Sequence, residues 1–389
     1  MTNSRILISG ASIAGPALAY WLSRYGFAVT VVERHPGIRP GGQALDVRGP
    51  ALDVADRMGV LDSLRARSTG MHGMSVVDAD GTEVYRNTAR TVSGGDLTNP
   101  DVEVLRDDLA RIVSDAAGDG VEYLFDDAIA ELDQDDDEVR VRFGSGLRRT
   151  FDLVVGADGL HSNTRRLVFG PTERFIHHMG TCMAVFTVPN FLGLENWQVM
   201  HQMPGEGLRG GMVMGVHGGR EARAYLMFDS AAPVDYDHRD IEGQKALLAK
   251  KLAGGGWVIP RLLEYARTAG DFHFDSAAQI RMDTWSRGRV ALLGDAAYCG
   301  SPLSGQGSSL ALIGAYALAG ELRAAGGDHR RAFAAYESGL RGYVRANQDI
   351  AVANMRTRRA QSAGDASELV ETGIAEFEQV VASYRVKDY

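Results

Sequence analysis

The sequence predicts an α/β protein with two domains, one built on a parallel sheet and one on an antiparallel sheet covered by helices, followed by a C-terminal helical segment. Three short apolar strands that each end in a glycine turn predict the parallel sheet. Four strands within residues 181–229 predict the antiparallel sheet. A chain of 389 residues also exceeds one ordinary hydrophobic core, so two domains are expected.

The first apolar strand, residues 6–8, leads into a glycine turn and then into a pattern of helical period. The turn resembles the dinucleotide fingerprint Gly-x-Gly-x-x-Gly, with a serine at the middle position. A helix that begins here offers free N–H groups and a partial positive charge to a pyrophosphate. The candidate cofactor-binding residues of this turn are Gly10, Ser12, Ile13, Ala14 and Gly15.

A second apolar strand, residues 28–32, ends in Glu33, followed by Arg34. An acid roughly 20 residues beyond the fingerprint binds the ribose hydroxyls of a dinucleotide. A carboxylate there repels a 2′-phosphate, so the pocket is predicted to suit the ADP half of FAD or NAD rather than NADP.

The stretch 36–50 is rich in turn residues and leaves the second strand beside the nucleotide site. We expect it to wrap the cofactor through Gly42, Gln43 and Asp46. A helix is predicted over 51–67, a hairpin around residues 80–81, and a further helix that opens after Arg106.

Two later strands repeat the glycine turn. Residues 151–155 lead into Gly156-Ala-Asp158-Gly159, and residues 290–293 lead into Gly294-Asp295. The second of these continues through a loop into an apolar helix over 308–322. The candidate residues of that loop are Pro302, Gly305, Gly307 and Ser308.

Seven of the thirteen methionines lie between residues 179 and 227, in the predicted antiparallel sheet. Methionines in strands are usually core filler, and a pliable apolar pocket is the alternative. Alternation places residues 212 and 214 on one face of a strand, and 225 and 227 on one face of the next. The pocket candidates are Met183, Met212, Met214, Tyr225 and Met227.

Composition excludes several classes of protein. A net charge of −9 argues against nucleic acid and anionic membranes as partners. Cys182 and Cys299 are isolated, so neither a disulfide framework nor a metal site is predicted. The first strand starts too early for a signal peptide and the apolar segments are interrupted, so a cytoplasmic protein is expected.

Together the three glycine turns resemble those of the single-component, class A FAD-dependent aromatic monooxygenases. This is the para-hydroxybenzoate hydroxylase-like family, and the resemblance is to its tetracycline-inactivating and polyketide hydroxylase branch. Residues 10–15 match its FAD fingerprint apart from Ser12, and residues 156–165 match its Asp-Gly motif. Gly294-Asp295 with the 302–307 loop matches its Gly-Asp motif.

The resemblance implies a Rossmann-like domain that binds FAD non-covalently. Glu33 would hold the adenosine ribose, Arg106 would contact the cofactor, and Asp295 would bond the ribityl chain. Residues 305–308 would lie at the flavin pyrimidine edge. Asp158 is implicated in binding both FAD and the reduced nicotinamide, and Arg165 is our candidate for the nicotinamide phosphates, as an exposed guanidinium that clamps them.

The implied reaction uses NADPH or NADH and O2 to hydroxylate a bulky aromatic or polyketide-like molecule through a flavin C4a-hydroperoxide. The flavin carries the chemistry, so no catalytic side chain and no metal are assigned. A flavin halogenase is one alternative, since residues 256–260 (GWVIP) resemble part of its signature. An isoprenoid reductase on the same scaffold and a non-catalytic FAD or drug-binding protein are the others.

The expected domains are discontinuous. Residues 1–73, 100–175 and 277–340 form the FAD-binding domain, residues 74–99 and 176–276 the substrate-binding domain, and residues 341–389 the C-terminal helices. A monomer or a homodimer is expected.

Overall fold

The computed structural model describes residues 5–91, 97–205, 207–362 and 377–389. The strands within these ranges are β1 (Arg5–Ser9), β2 (Ala28–Val32), β3 (Ala44–Val47), β4 (Met74–Val77), β5 (Glu83–Asn87), β6 (Val102–Leu105), β7 (Val121–Leu124), β8 (Ile129–Gln134), β9 (Val139–Phe143), β10 (Arg148–Phe151), β11 (Leu153–Gly156), β12 (Ile176–Val188), β13 (Gln198–Gln202), β14 (Arg209–Val216), β15 (Glu221–Asp229), β16 (His273–Ile280), β17 (Ser286–Arg287) and β18 (Val290–Leu292).

The α-helices in the same ranges are α1 (Ala14–Arg24), α2 (Pro50–Arg57), α3 (Leu61–Ala66), α4 (Arg106–Ala117), α5 (Asn163–Phe169), α6 (Ile241–Lys251), α7 (Ile259–Thr268), α8 (Asp295–Tyr298), α9 (Gly307–Ala324) and α10 (His329–Ser362). Among the described residues, no helix combines the length and the apolar character that crossing a membrane requires.

A six-stranded sheet forms the first domain, in the order β17-β18-β11-β1-β2-β7. Its strands are parallel except for β17, an edge strand that is antiparallel to β18. Both faces are covered, and β1 buries Ile6, Leu7 and Ile8 completely. The three strands predicted to end in glycine turns, β1, β11 and β18, are adjacent, so their turns meet at one edge of the sheet.

A seven-stranded sheet forms the second domain, in the order β16-β12-β15-β14-β13-β4-β5. It is antiparallel apart from the parallel pair β4 and β13. One face packs on α6 and α7 through a core that includes Phe186, Val213 and Leu226. The acidic stretch 131–138 lies in the hairpin of β8 and β9, which belongs to a separate three-stranded sheet.

Several elements differ from the sequence prediction. The helix expected over 51–67 is two helices, because Gly59 adopts φ +73° between them. The turn-rich stretch contains β3, and β16 was not predicted. β16 runs from His273 to Ile280 and α10 from His329 to Ser362, while the expected domain boundaries remain a prediction.

The residues 377–389 pack back on the first domain. The Tyr389 hydroxyl donates to Glu321 at 2.8 Å, and the Tyr316 hydroxyl donates to the Lys387 carbonyl at 2.8 Å. The ring of Tyr389 lies where a side chain at Gly320 of α9 would project. Because Gly320 has no side chain, the Tyr389 ring can pack directly against α9 and hold residues 377–389 there.

We predict that Gly320→Ala destabilises the protein, because the new methyl group overlaps the Tyr389 ring; overpacking of this kind costs about 1–3 kcal/mol. The matched control is Gly339→Ala in α10, where the added carbon meets no atom within 4 Å and a gain of about 0.5–1 kcal/mol is expected. Thermal unfolding of both variants, and of Gly320→Ala combined with Tyr389→Gly, measures the effect. Equal melting temperatures of the two single variants would contradict it.

Candidate functional site

The fingerprint turn is held by close packing of backbone on backbone. Gly10 adopts φ +107°, and a side-chain carbon there would lie 2.5 Å from the Ala157 carbonyl oxygen. A side chain at Gly15 would overlap the Gly10 carbonyl. Ser12, at the middle position, is exposed, and no side chain caps the start of α1. The turn is therefore open where a phosphate would approach the helix N-terminus.

Glu33 lies directly beside this turn. Its carboxylate accepts a hydrogen bond from the Ala11 amide at 2.8 Å and another from the His35 amide at 3.0 Å. These bonds fix the carboxylate at the end of β2, half-buried and next to the start of α1. The neighbouring Arg34 is exposed.

Asp295 and Glu33 lie on opposite sides of the start of α1. Asp295 follows β18 and Glu33 follows β2, and these strands lie on either side of β1 in the sheet. Gly294 adopts φ +61°, and a side-chain carbon there would lie 3.2 Å from the methyl carbon of Ala14. Asp295 is exposed by its accessible surface, yet burial raises the pKa of its carboxyl group. Both properties hold for a carboxylate on the floor of a cleft, where protein surrounds it but a ligand reaches it.

The start of α9 lines the same region together with β3. The hydroxyl groups of Ser308 and Ser309 donate to the Asp46 carbonyl at 2.5 and 3.4 Å. Gly305 and Gly307 face open space, and no side chain caps the helix. Ser308 and Asp46 are thus brought together, whereas Pro302 is exposed.

Asp46 and Arg48 form a buried ion pair at 2.7 Å beside this helix start. Burial raises the pKa of Asp46 to about 7, against the lowering effect of the Arg48 charge. Arg48 is 2% exposed and its guanidinium lies over the Phe377 ring at 5.2 Å. Arg48 was not among the sequence candidates, although it stands two positions after Asp46, directly beyond the end of β3.

Arg106 holds the turn of residues 39–41 through hydrogen bonds. Its guanidinium donates to the carbonyl oxygens of Arg39 and Gly41, the latter at 2.7 Å, and it is 4% exposed. Gly42 has φ +109°, and a side chain there would collide with the Arg106 side chain. The Arg106 amide donates to the Gln43 carbonyl at 2.9 Å. Burial lowers the pKa of Arg106 to about 10. Its side-chain bonds therefore run to the 39–41 turn, and a contact with cofactor remains a prediction.

One expectation about the Asp-Gly turn and the helix after it, that Arg165 is exposed, is wrong. Asp158 accepts from the Thr164 amide and hydroxyl, both at 2.9 Å, and so holds the start of α5. Arg165, expected to be exposed, is fully buried on the inner side of that helix and donates to the carbonyls of Ala296 at 2.8 Å and Leu160 at 2.6 Å. A guanidinium in this position is withdrawn from solvent, so Arg165 is not a phosphate clamp here.

The five pocket candidates lie on one face of the seven-stranded sheet. Met183 is opposite Met227, and Met212 is opposite Tyr225, in adjacent strands. This surface, which we call the methionine face, consists of Met183, Val185, Met200, Met212, Met214, Tyr225 and Met227. It packs with Met71, Leu105 and Ala44 of the first domain. The face therefore adjoins β3, whose Asp46 contacts the start of α9. We call the region between Asp295, the start of α1 and the start of α9 the cleft.

A polar cluster at the edge of the sheet was missed by the sequence analysis. His161, directly after the Asp-Gly turn, contacts Asp275 of β16 at 3.1 Å, and the Tyr236 hydroxyl donates to Asp275 at 2.6 Å. Burial raises the pKa of Asp275, but the hydrogen bonds from His161 and Tyr236 outweigh it and leave the pKa below its ordinary value. Asp275 is opposite Met183, so the cluster closes one side of the methionine face.

Comparison with known proteins places this geometry in a family. A family model described as an FAD binding domain matches residues 3–356. An uncharacterized protein of Mycobacterium tuberculosis (strain ATCC 25618 / H37Rv) is 52% identical over 385 residues, covering 99% of each chain. A flavin-dependent monooxygenase from an unknown prokaryotic organism is 42% identical over 350 residues, covering 90% of this chain and 89% of its own. The crystal structure of the tetracycline destructase Tet(51) superposes with a TM-score of 0.90 at 35% identity, covering 100% of both chains.

The chain belongs to the flavin-dependent monooxygenases. Its cofactor is FAD, used with a reduced nicotinamide and O2. The residues of this monooxygenase fit FAD, since Asp295 is reachable, Gly305 and Gly307 face open space, and the starts of α1 and α9 carry no side-chain cap. The halogenase-like segment 256–260 lies at the start of α7, and its Trp257 and Val258 pack with the core on the other face of the sheet.

Proposed function

We propose that this enzyme hydroxylates a bulky, mainly apolar polycyclic aromatic or polyketide-like molecule bound on the methionine face. The observation that carries this proposal is the position of that face, which is apolar, is built largely from methionines and adjoins β3, the strand whose Asp46 contacts the start of α9. Methionine side chains are flexible and polarisable, so they adapt to irregular aromatic outlines. The neighbour named as a tetracycline destructase supports this substrate class, and the relatives named as flavin-dependent monooxygenases support the reaction type.

FAD, when bound, accepts hydride from the nicotinamide and supplies an electrophilic oxygen atom derived from O2. The chain would hold it by its two ends. Glu33 would accept from the adenosine ribose, the start of α1 would face the pyrophosphate, and Asp295 would bond the ribityl chain. The N–H groups at the start of α9 would stabilise negative charge on the reduced ring. The methionine face would exclude water from the reacting atoms.

In solution we expect a cytoplasmic monomer or homodimer that acts without nucleic acid or a membrane. The net charge of −9 supports the expectation that nucleic acid and anionic membranes are not partners. The two cysteines, which are free and buried, support the expectation of a reducing compartment.

The test of the proposal is substrate-stimulated consumption of NADPH. We expect NADPH oxidation by the purified holoenzyme to rise several-fold with one member of a panel of phenols, naphthoquinones, anthracyclines, tetracyclines and rifamycins. In ¹⁸O2, mass spectrometry should then find one labelled oxygen atom in the product. A yellow protein that binds these ligands but never oxidises NADPH would favour the alternative of a binding protein.

We predict that Glu33→Ala weakens FAD binding, because the ribose hydroxyls lose their acceptor. The protein should purify with less flavin and show at least roughly tenfold weaker affinity, the loss of one hydrogen bond to a charged group. Glu122→Ala is the matched control, since Glu122 lies on β7 in the same sheet and pairs with Arg149 at 2.6 Å. Equal flavin occupancy in the two variants would remove Glu33 from the site.

Asp295→Ala is predicted to bind FAD at least roughly tenfold more weakly, since a charge-assisted hydrogen bond contributes on the order of 1.5–3 kcal/mol. Titration of the apoprotein with FAD, followed by quenching of flavin fluorescence, gives the affinity. Asp283→Ala, at an exposed site beyond β16, is the control. An unchanged affinity in Asp295→Ala would show that the ribityl chain binds elsewhere.

A further inference from the structure

Tyr225 carries a hydroxyl group into the methionine face. The residue is 5% exposed and lies opposite Val185 of β12 and Met212 of β14. It packs in the same apolar cluster as Met71 and Met214. A tyrosine buried in such surroundings normally uses its hydroxyl in a hydrogen bond.

The hydroxyl oxygen is already engaged as an acceptor. The backbone amide of Ala44, the first residue of β3, donates to it at 2.8 Å. Among the described residues, no acceptor receives the proton of this hydroxyl. A phenolic hydroxyl both accepts and donates, and a donor left unused in an apolar site destabilises that site.

Burial raises the pKa of Tyr225 well above its ordinary value, so the hydroxyl keeps its proton at neutral pH. Because the Ala44 amide occupies its acceptor side, the hydroxyl acts towards a ligand as a donor. It therefore distinguishes a ligand oxygen that accepts, such as a ketone carbonyl, from a position that carries only carbon and hydrogen.

We propose that Tyr225 is a specificity-determining residue, whose hydroxyl donates a hydrogen bond to a carbonyl oxygen of a polycyclic aromatic ketone bound on the methionine face. The inference rests on the proposed function and names the chemical group that the same site selects. The bond from Ala44 fixes the hydroxyl relative to β3, so the acceptor also sets the orientation of the ligand beside the cleft.

The test compares two ligands that differ by one carbonyl group, xanthone and xanthene, with the FAD-loaded enzyme in the absence of NADPH. Their dissociation constants are measured from the perturbation of the flavin absorption spectrum. We expect Tyr225→Phe to bind xanthone roughly five- to tenfold more weakly than the parent, the loss of one hydrogen bond, and to bind xanthene within about twofold of the parent. Loss of the Ala44 contact affects both ligands alike and cancels in the ratio.

Tyr343→Phe is the matched control. Tyr343 is a buried tyrosine on α10 whose hydroxyl already donates to the Val381 carbonyl at 3.2 Å. This variant should leave the ratio of xanthone to xanthene affinity at the parental value. Unchanged xanthone binding in Tyr225→Phe, a parallel loss for both ligands, or no binding of either ligand to the parent would overturn the proposal.

A second measurement needs only the parent enzyme and covers the case in which Tyr225→Phe loses its fold or its FAD. The ¹³C resonance of xanthone labelled at its carbonyl carbon should move downfield on binding, relative to xanthone in an apolar solvent. A resonance at the apolar-solvent position would overturn the proposal. NADPH oxidation and ¹⁸O incorporation with the function panel are measured separately, so a failed assignment of Tyr225 leaves the monooxygenase reaction intact and is distinguishable from failure of the proposed function.

Discussion

Close packing of three glycine turns around the first turn of α1 is the constraint on which the site depends. Gly10 approaches the Ala157 carbonyl, Gly15 approaches Gly10, and Gly294 approaches Ala14, each at a distance that leaves little or no room for a side chain. The ends of β1, β11 and β18 are thereby brought to one point. Glu33, Asp158 and Asp295 each follow one strand of this sheet, so their positions are set by the same packing. A methyl group added at Gly10 would meet the Ala157 carbonyl directly before Asp158, and one added at Gly15 would meet the Gly10 carbonyl.

This part of the protein could be predicted from sequence because each strand, turn and helix start is contiguous in the chain. An apolar strand, a glycine at positive φ and a helix within some fifteen residues leave few alternatives. Parallel strands joined by crossover helices end at one edge of a sheet, which accounts for three turns at the same edge, whereas the pairing of β1 with β11 and of β11 with β18 is long-range. The fold and the family expected from these motifs are confirmed.

The missed strands show where that reasoning fails. β3 and β16 include Asp46, Asp275 and Gln279, which break an apolar alternation, and each strand is specified by a remote partner, β6 and β12 respectively. The prediction that Arg165 is exposed was wrong for a related reason. The sequence specifies its residue type but not the side of α5 on which it lies. Of the two carbonyls that hold it inside, that of Leu160 is local, whereas that of Ala296 in α8 reaches α5 only through tertiary packing.

The two faces of the antiparallel sheet differ in the freedom of their side chains. The helix-covered face is closely packed with Phe186, Val213 and Leu226, which have few low-energy rotamers. The methionine face has flexible side chains and one hydroxyl, Tyr225, tied to the backbone at Ala44. A surface of this kind tolerates many ligand outlines but offers one fixed polar reference. Selection among ligands then depends on where a ligand carries an acceptor more than on its shape, since an unmatched donor is costly while an unmatched methionine repacks.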